Sequence, residues 1–122
     1  MAIDIDEEIY LDNDDLIVVT PLVKTVNGTT GAIQDTPLVG RMDGVVFIST
    51  SSDTLTATAF GGLSKNLSES PSGVYSAVME GNDKSTAMAA SVDATTFYYH
   101  IEFGADYHVV VPVTLRRVRP AL

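Results

Sequence analysis

Residues 3–15 read Ile-Asp-Ile-Asp-Glu-Glu-Ile-Tyr-Leu-Asp-Asn-Asp-Asp, seven carboxylates with no cation among them. Carboxylates at this density could ligate a cation, work as an acid–base pair, or wait for a positive partner. A calcium loop of the EF-hand kind needs oxygens at alternate positions, glycine at the sixth and glutamate at the twelfth. Counted from Asp4, those two positions are Ile9 and Asp15; counted from Asp12, the sixth is Ile17, inside a β-branched run. Neither register fits. Acid–base work needs a pocket that drives two carboxyl pKa values apart, and a solvated terminal stretch offers none. The third reading is a peptide arm. Ile5, Ile9, Tyr10 and Leu11 give it apolar groups to bury, and Asp12 and Asp14 add charge. Free in water, such a segment has little to hold it in one shape.

His100 and His108 are the only histidines. They fall on adjacent strands of a C-terminal pair, where they could face each other and, with Glu102 or Asp106, hold a metal. Both fall on the polar phase of strands whose other phase builds the core, so a metal-free pair is the simpler reading. Gly61-Gly62-Leu63-Ser64-Lys65 has the residue types of a phosphate loop without the order GxxxxGK[ST], and no helix is expected after it. No SxxK pair, nucleophile elbow or HExxH occurs, and no Ser-His-Asp set stands out. The chain has no cysteine, which removes thiolate catalysis, disulfides and sulfur-ligated zinc. These residues point away from an enzyme and to no catalytic residue, metal or cofactor.

Arg116, Arg117 and Arg119 crowd the last seven residues, opposite in sign to the first fifteen. The net charge of −9 opposes phosphate backbones, so sequence-specific nucleic-acid binding is not expected. Guanidinium forks match carboxylates, and the acidic arm of an identical neighbour would supply them. No apolar run approaches the ~20 residues that cross a bilayer. The acidic start differs from a signal peptide, so the expected site of synthesis and assembly is the cytoplasm.

The elements that must position these groups are β-strands. The length of 122 residues suits one domain. Leu16 to Thr20 is rich in branched residues, Pro21 marks an edge or bend, and Asn27-Gly28 signals a hairpin turn. A weaker strand is expected over 30–39, then an Asp43-Gly44 turn and a strand over 45–48. Period-two alternation predicts a strand over 54–60, the glycine- and serine-rich 61–72 a long loop, and 73–80 another strand. One helix is expected from Asp83 to Val92, capped by Asp83 or Ser85. Phe97, Tyr99, Ile101 and Phe103 share one face of the next strand; Tyr107, Val109, Val111, Val113 and Leu115 share one face of its return. Pro112, on the opposite phase, again suggests an edge.

The expected fold is all-β, an Ig-like antiparallel β-sandwich of about seven strands with one short helix. An acidic arm would occupy 1–14, the sandwich 15–119 and a basic tip 116–122.

The opening phrase Tyr10-Leu11-Asp12-Asn13-Asp14, the Asp43-Gly44 and Gly73-Val74-Tyr75 turns, and the ending from Val109 to Arg119 resemble those of small tailed-bacteriophage virion proteins. The likeness spans most of the chain in short motifs; the polar 61–72 segment is longer here. The resemblance implies a non-enzymatic particle component at the head-to-tail neck or in the tail, located in the virion and assembling as a ring or multimer. Its partners would be its own copies and capsid, portal, adaptor or tail proteins, with no membrane. Ile5, Ile9, Tyr10, Leu11, Asp12, Asp14, Arg116, Arg117 and Arg119 would make the subunit contacts. A capsid decoration protein is the alternative within that class. Outside it stands a carbohydrate-binding module using Tyr98 and Tyr107, in a chain with no tryptophan.

Overall fold

The computed structural model describes residues 2–4, 8–10, 13–88 and 95–116. Along them run β1 (Ala2–Asp4), β2 (Glu8–Tyr10), β3 (Asp15–Thr20), β4 (Leu22–Val26), β5 (Ile33–Pro37) and β6 (Gly44–Ser49). A 3-10 turn (Phe60–Gly62), β7 (Ser64–Asn66), β8 (Ser68–Glu69), β9 (Tyr75–Met79), α1 (Gly81–Met88), β10 (Thr95–Phe103) and β11 (Tyr107–Arg116) complete the order. The strands form a four-stranded sheet, β1-β3-β9-β8, a five-stranded sheet, β2-β11-β10-β6-β7, and a separate two-stranded sheet, β4-β5. The fold is all-β and sandwich-like, as expected. Pairing is antiparallel except where β2 joins β11 in parallel.

Period-two alternation builds the core. Ile17 and Val19 of β3 and Tyr75 and Met79 of β9 meet Phe97, Tyr99, Ile101 and Phe103 of β10. Tyr107, Val113 and Leu115 of β11 close it, with Val109 and Val111 partly buried against it. Both inward faces of the β10–β11 pair follow the alternation in the sequence. Burying such side chains contributes roughly 1.5–3 kcal/mol each.

The hairpin that Asn27-Gly28 signals does join β4 to β5, but neither residue takes a positive φ. The Asn27 carboxamide oxygen accepts from the N–H groups of Thr29 and Thr30 at 2.8 and 2.9 Å. Gly31, at φ 73°, supplies the left-handed residue instead. Asp43-Gly44 is likewise no glycine turn: Gly44 opens β6, and a Cβ there would lie 2.4 Å from the Phe103 ring.

The expected strand over 54–60 is a turn, because Asp53 takes its backbone donors. The Asp53 carboxylate accepts from Leu55 N–H at 2.8 Å and Thr56 O–H at 2.9 Å, and Ala57 N–H donates to Asp53 O at 3.0 Å. The expected loop over 61–72 contains β7 and β8, because Leu63 and Leu67 plug into the core. Helix α1 starts earlier than expected; residues 89–92 of the expected helix lie outside the described residues. Its first N–H, from Gly81, donates to Asp14 Oδ1 at 2.8 Å.

Candidate functional site

The acidic segment lies partly in the chain's own sheets, which corrects the picture of an arm held outward. β1 pairs with β3 through Ala2↔Thr20, Ile3↔Val19 and Asp4↔Val18. β2 pairs with β11 through Thr114↔Glu8, Leu115↔Ile9 and Arg116↔Tyr10. Ile9, Tyr10 and Arg116 therefore sit on neighbouring strands of one chain, and Asp14 serves the helix start. Ile5, Leu11, Asp12, Arg117 and Arg119 lie outside the described residues. The physical reason is the alternation Ile3-Asp4-Ile5-Asp6, a strand pattern that a bare sheet edge can satisfy. Each described piece of the segment covers one edge of a different sheet, a protection that β proteins need.

Two stretches of sheet edge stay open among the described residues: Tyr107 to Val113 of β11, which β2 covers only from Thr114, and both edges of the β4–β5 hairpin. Its register sets Leu22 opposite Pro37, Lys24 opposite Asp35 and Val26 opposite Ile33. Lys24 and Asp35 form an ion pair, which holds the Asp35 carboxyl below its ordinary range. Val23 packs against the core at the base. Toward the tip, Val26 and Ile33 are 68% and 71% exposed. This face sets an ion pair between two apolar pairs, and is locally neutral on a chain of charge −9.

Three polar knots brace the body. In the core, the Asp15 Oδ2 accepts from Lys84 Nζ and from the Tyr99 hydroxyl, both at 2.7 Å. Burial, reinforced by the Asp15 carboxylate, pushes the Tyr99 hydroxyl well above the usual tyrosine range. At one end, the Arg41 guanidinium spans Asp43 at 2.6 Å and Asp106 at 2.7 Å, which acidifies Asp43. Beside it, the Glu69 carboxylate accepts from Gly73 N–H at 2.7 Å and Gly40 N–H at 3.0 Å, donors that hold its pKa down. The Tyr75 hydroxyl donates to Leu38 O at 3.0 Å and accepts from Arg41 N–H at 3.2 Å.

The histidines do meet. His100 Nδ1 lies 2.8 Å from His108 Nε2, and His100 Nε2 lies 2.6 Å from Ser51 O. His108 Nδ1 is 3.4 Å from Glu102 Oε2. His100 is fully buried, on the face of β10 away from the core, stacked on Phe47 at 4.7 Å between ring centres. Its placement on the polar phase was legible; its burial was not, because the cover comes from β6 and the loop after it. The facing ring nitrogens are spent on each other in a hydrogen bond instead of converging on an ion. Among the described residues no group of three metal-ligating side chains is placed to hold one.

The Gly61–Lys65 stretch lines a cleft with Met79, Asp83 and Thr86. Its cation is committed: Lys65 Nζ bonds Asp83 at 2.8 Å, which raises the Lys65 pKa. A phosphate there would have to displace a carboxylate. Among the described residues no helix is long and apolar enough to cross a membrane. No family model matches the chain, and neither a curated protein nor a solved structure shows significant similarity to it.

Proposed function

We propose that this chain is a structural subunit of a tailed-bacteriophage particle, placed at the head-to-tail connection or in the tail and assembling with its own copies. The β4–β5 hairpin carries the reading. It offers five-residue edges on both strands and an exposed Val26–Ile33 pair, in a locally neutral setting on an acidic body. A neighbouring subunit can add a strand to such an edge, with main-chain hydrogen bonds for affinity and side-chain fit for specificity. Many copies in a ring multiply a modest contact into a stable assembly. The resemblance in the opening phrase, the turns and the closing strand supports the particle assignment. The described N-terminal strands act as edge covers in this scheme, and the hairpin takes over the reaching role.

The test is the particle itself. Quantitative mass spectrometry of purified virions encoded with this chain should find six or twelve copies per particle for a neck ring. Absence from the virion refutes the reading; hundreds of copies move the protein to the capsid surface. Val26→Asp with Ile33→Asp should leave the monomer folded, with stability changed by about 0.5 kcal/mol or less. Incorporation into particles should be abolished.

A further inference from the structure

We propose that Asn27-Gly28, at the tip of the β4–β5 hairpin, is a self-modification site whose asparagine converts to aspartate and isoaspartate through a cyclic imide. The chain has four asparagines, and Asn27 alone is followed by glycine. The turn leaves one nucleophile free. Asn27 N–H donates to Ala32 O and Gly31 N–H to Asn27 O, both at 2.8 Å. Thr29 and Thr30 N–H donate to Asn27 Oδ1 at 2.8 and 2.9 Å, and Ala32 N–H donates to Thr30 Oγ1 at 3.3 Å. Across the backbone N–H groups of residues 27–32, only that of Gly28 has no partner among the described residues. Gly28 is exposed, so solvent base reaches it.

The electrophile is held as well. Only the carboxamide oxygen can accept from two N–H groups, which fixes the amide's orientation and leaves Nδ2 outside these bonds. Both donors lie on the oxygen that gains charge when a nucleophile adds to Cγ, an arrangement that stabilises an oxyanion. Attack comes from the next residue's nitrogen, so the ring closes within one chain and needs no second molecule. Gly28 N gives its proton to solvent base and bonds Cγ; the Cγ–Nδ2 bond breaks and ammonia leaves. Water then opens the imide. Addition at Cγ breaks its new bond to Gly28 N and gives aspartate. Addition at the main-chain carbonyl breaks the original peptide bond and gives isoaspartate. A Cβ on residue 28 would meet nothing within 4 Å, and φ there is not positive. The turn therefore does not require glycine, whereas ring closure favours it, because a side chain would shield the attacking nitrogen.

The two products act differently on the tip. An aspartate oxygen accepts from Thr29 and Thr30 as the carboxamide did, so the turn persists with one more negative charge near the exposed Val26 and Ile33. Isoaspartate reroutes the main chain through the side chain and adds a methylene, which disrupts the bonds that close the turn onto Gly31 and Ala32. Either product makes the tip harder to bury against another surface, since a charge taken out of water must find a partner. The chemistry is independent of the particle assignment; only its effect on incorporation rests on that reading.

The full-length chain, kept in mildly alkaline buffer, should gain the mass of an amide-to-acid exchange, localised by peptide mapping to Asn27. Comparison with synthetic peptides should find isoaspartate as well as aspartate, because direct hydrolysis would give aspartate alone. The folded chain should convert at least as fast as the same chain in guanidinium chloride, where the donors to Oδ1 are lost. Gly28→Ala should keep its far-UV circular dichroism and convert severalfold more slowly. The site is overturned by an unmodified Asn27, by a gain confined to the denatured chain, or by aspartate without isoaspartate. An undiminished rate in Gly28→Ala overturns it too.

Discussion

Of the polar groups that tie this sandwich together, one inside it and one on its outer face make an instructive pair. In the core, Asp15 joins β3 to Lys84 of α1 and Tyr99 of β10. On the outer face, Glu102, His108 and His100 join β10 and β11 to the Ser51 carbonyl. The core group gathers an ammonium and a phenol around one buried carboxylate oxygen. The outer group joins two imidazoles to a backbone carbonyl, and its far end, Glu102, is 37% exposed. Low dielectric therefore raises the stakes of the inner group more than those of the outer one.

The sharpest way to break the contrast is Lys84→Met. It removes the ammonium that balances Asp15 inside the core, and should cost about 3–5 kcal/mol by urea denaturation, with little dependence on pH near 7. Adding Asp15→Asn should restore much of that loss, since the buried charge goes while an acceptor for Tyr99 remains. A small loss in Lys84→Met would mean the pair contributes little to holding α1.

Tyr99→Phe comes next, at about 1.5–3 kcal/mol for a buried hydrogen bond to a charged acceptor. It also carries a pH signature. Unfolded Tyr99 ionises near about pH 10, while the folded hydroxyl keeps its proton. The unfolded chain therefore releases a proton first, and stability falls as pH rises past that value. The slope of stability against pH above about 10 should be shallower in Tyr99→Phe than in the parent chain; equal slopes would remove Tyr99 from the account. The smallest effect belongs to Glu102→Gln. Global stability at neutral pH should move by about 0.5 kcal/mol or less by urea denaturation; a loss as large as that of Lys84→Met would erase the contrast between the two groups.

Much of the body was legible in the chain. Phe97, Tyr99, Ile101 and Phe103, and their partners from Tyr107 to Leu115, alternate so regularly that face and pairing follow from period two alone. The strand expectations at 16–20 and 45–48 rest instead on runs of branched and aromatic residues, which suit a pleated surface. The stretch from 54 to 60 alternates just as well and is no strand, because Asp53 captures the amide and hydroxyl donors that follow it. A side-chain acceptor at the right offset outcompetes a ladder that has no neighbour. The N-terminal segment was read as an arm, and its described strands pair with the chain's own sheets. Acidic density suggested an outward arm, while Ile3 and Ile5 already held the alternation of an edge strand.

Taken by itself, the sequence determined that the fold is β, which faces of its C-terminal hairpin are apolar, and that these residues offer no thiol. Those properties are local, set by side-chain volume, period and composition. Tertiary structure alone decided that Asp15, Lys84 and Tyr99 converge, that His100 is sealed under the loop bearing Ser51, and that the hairpin keeps its edges open. Each of these joins residues far apart in the chain, and contacts of that kind arise only when the sheets close on one another.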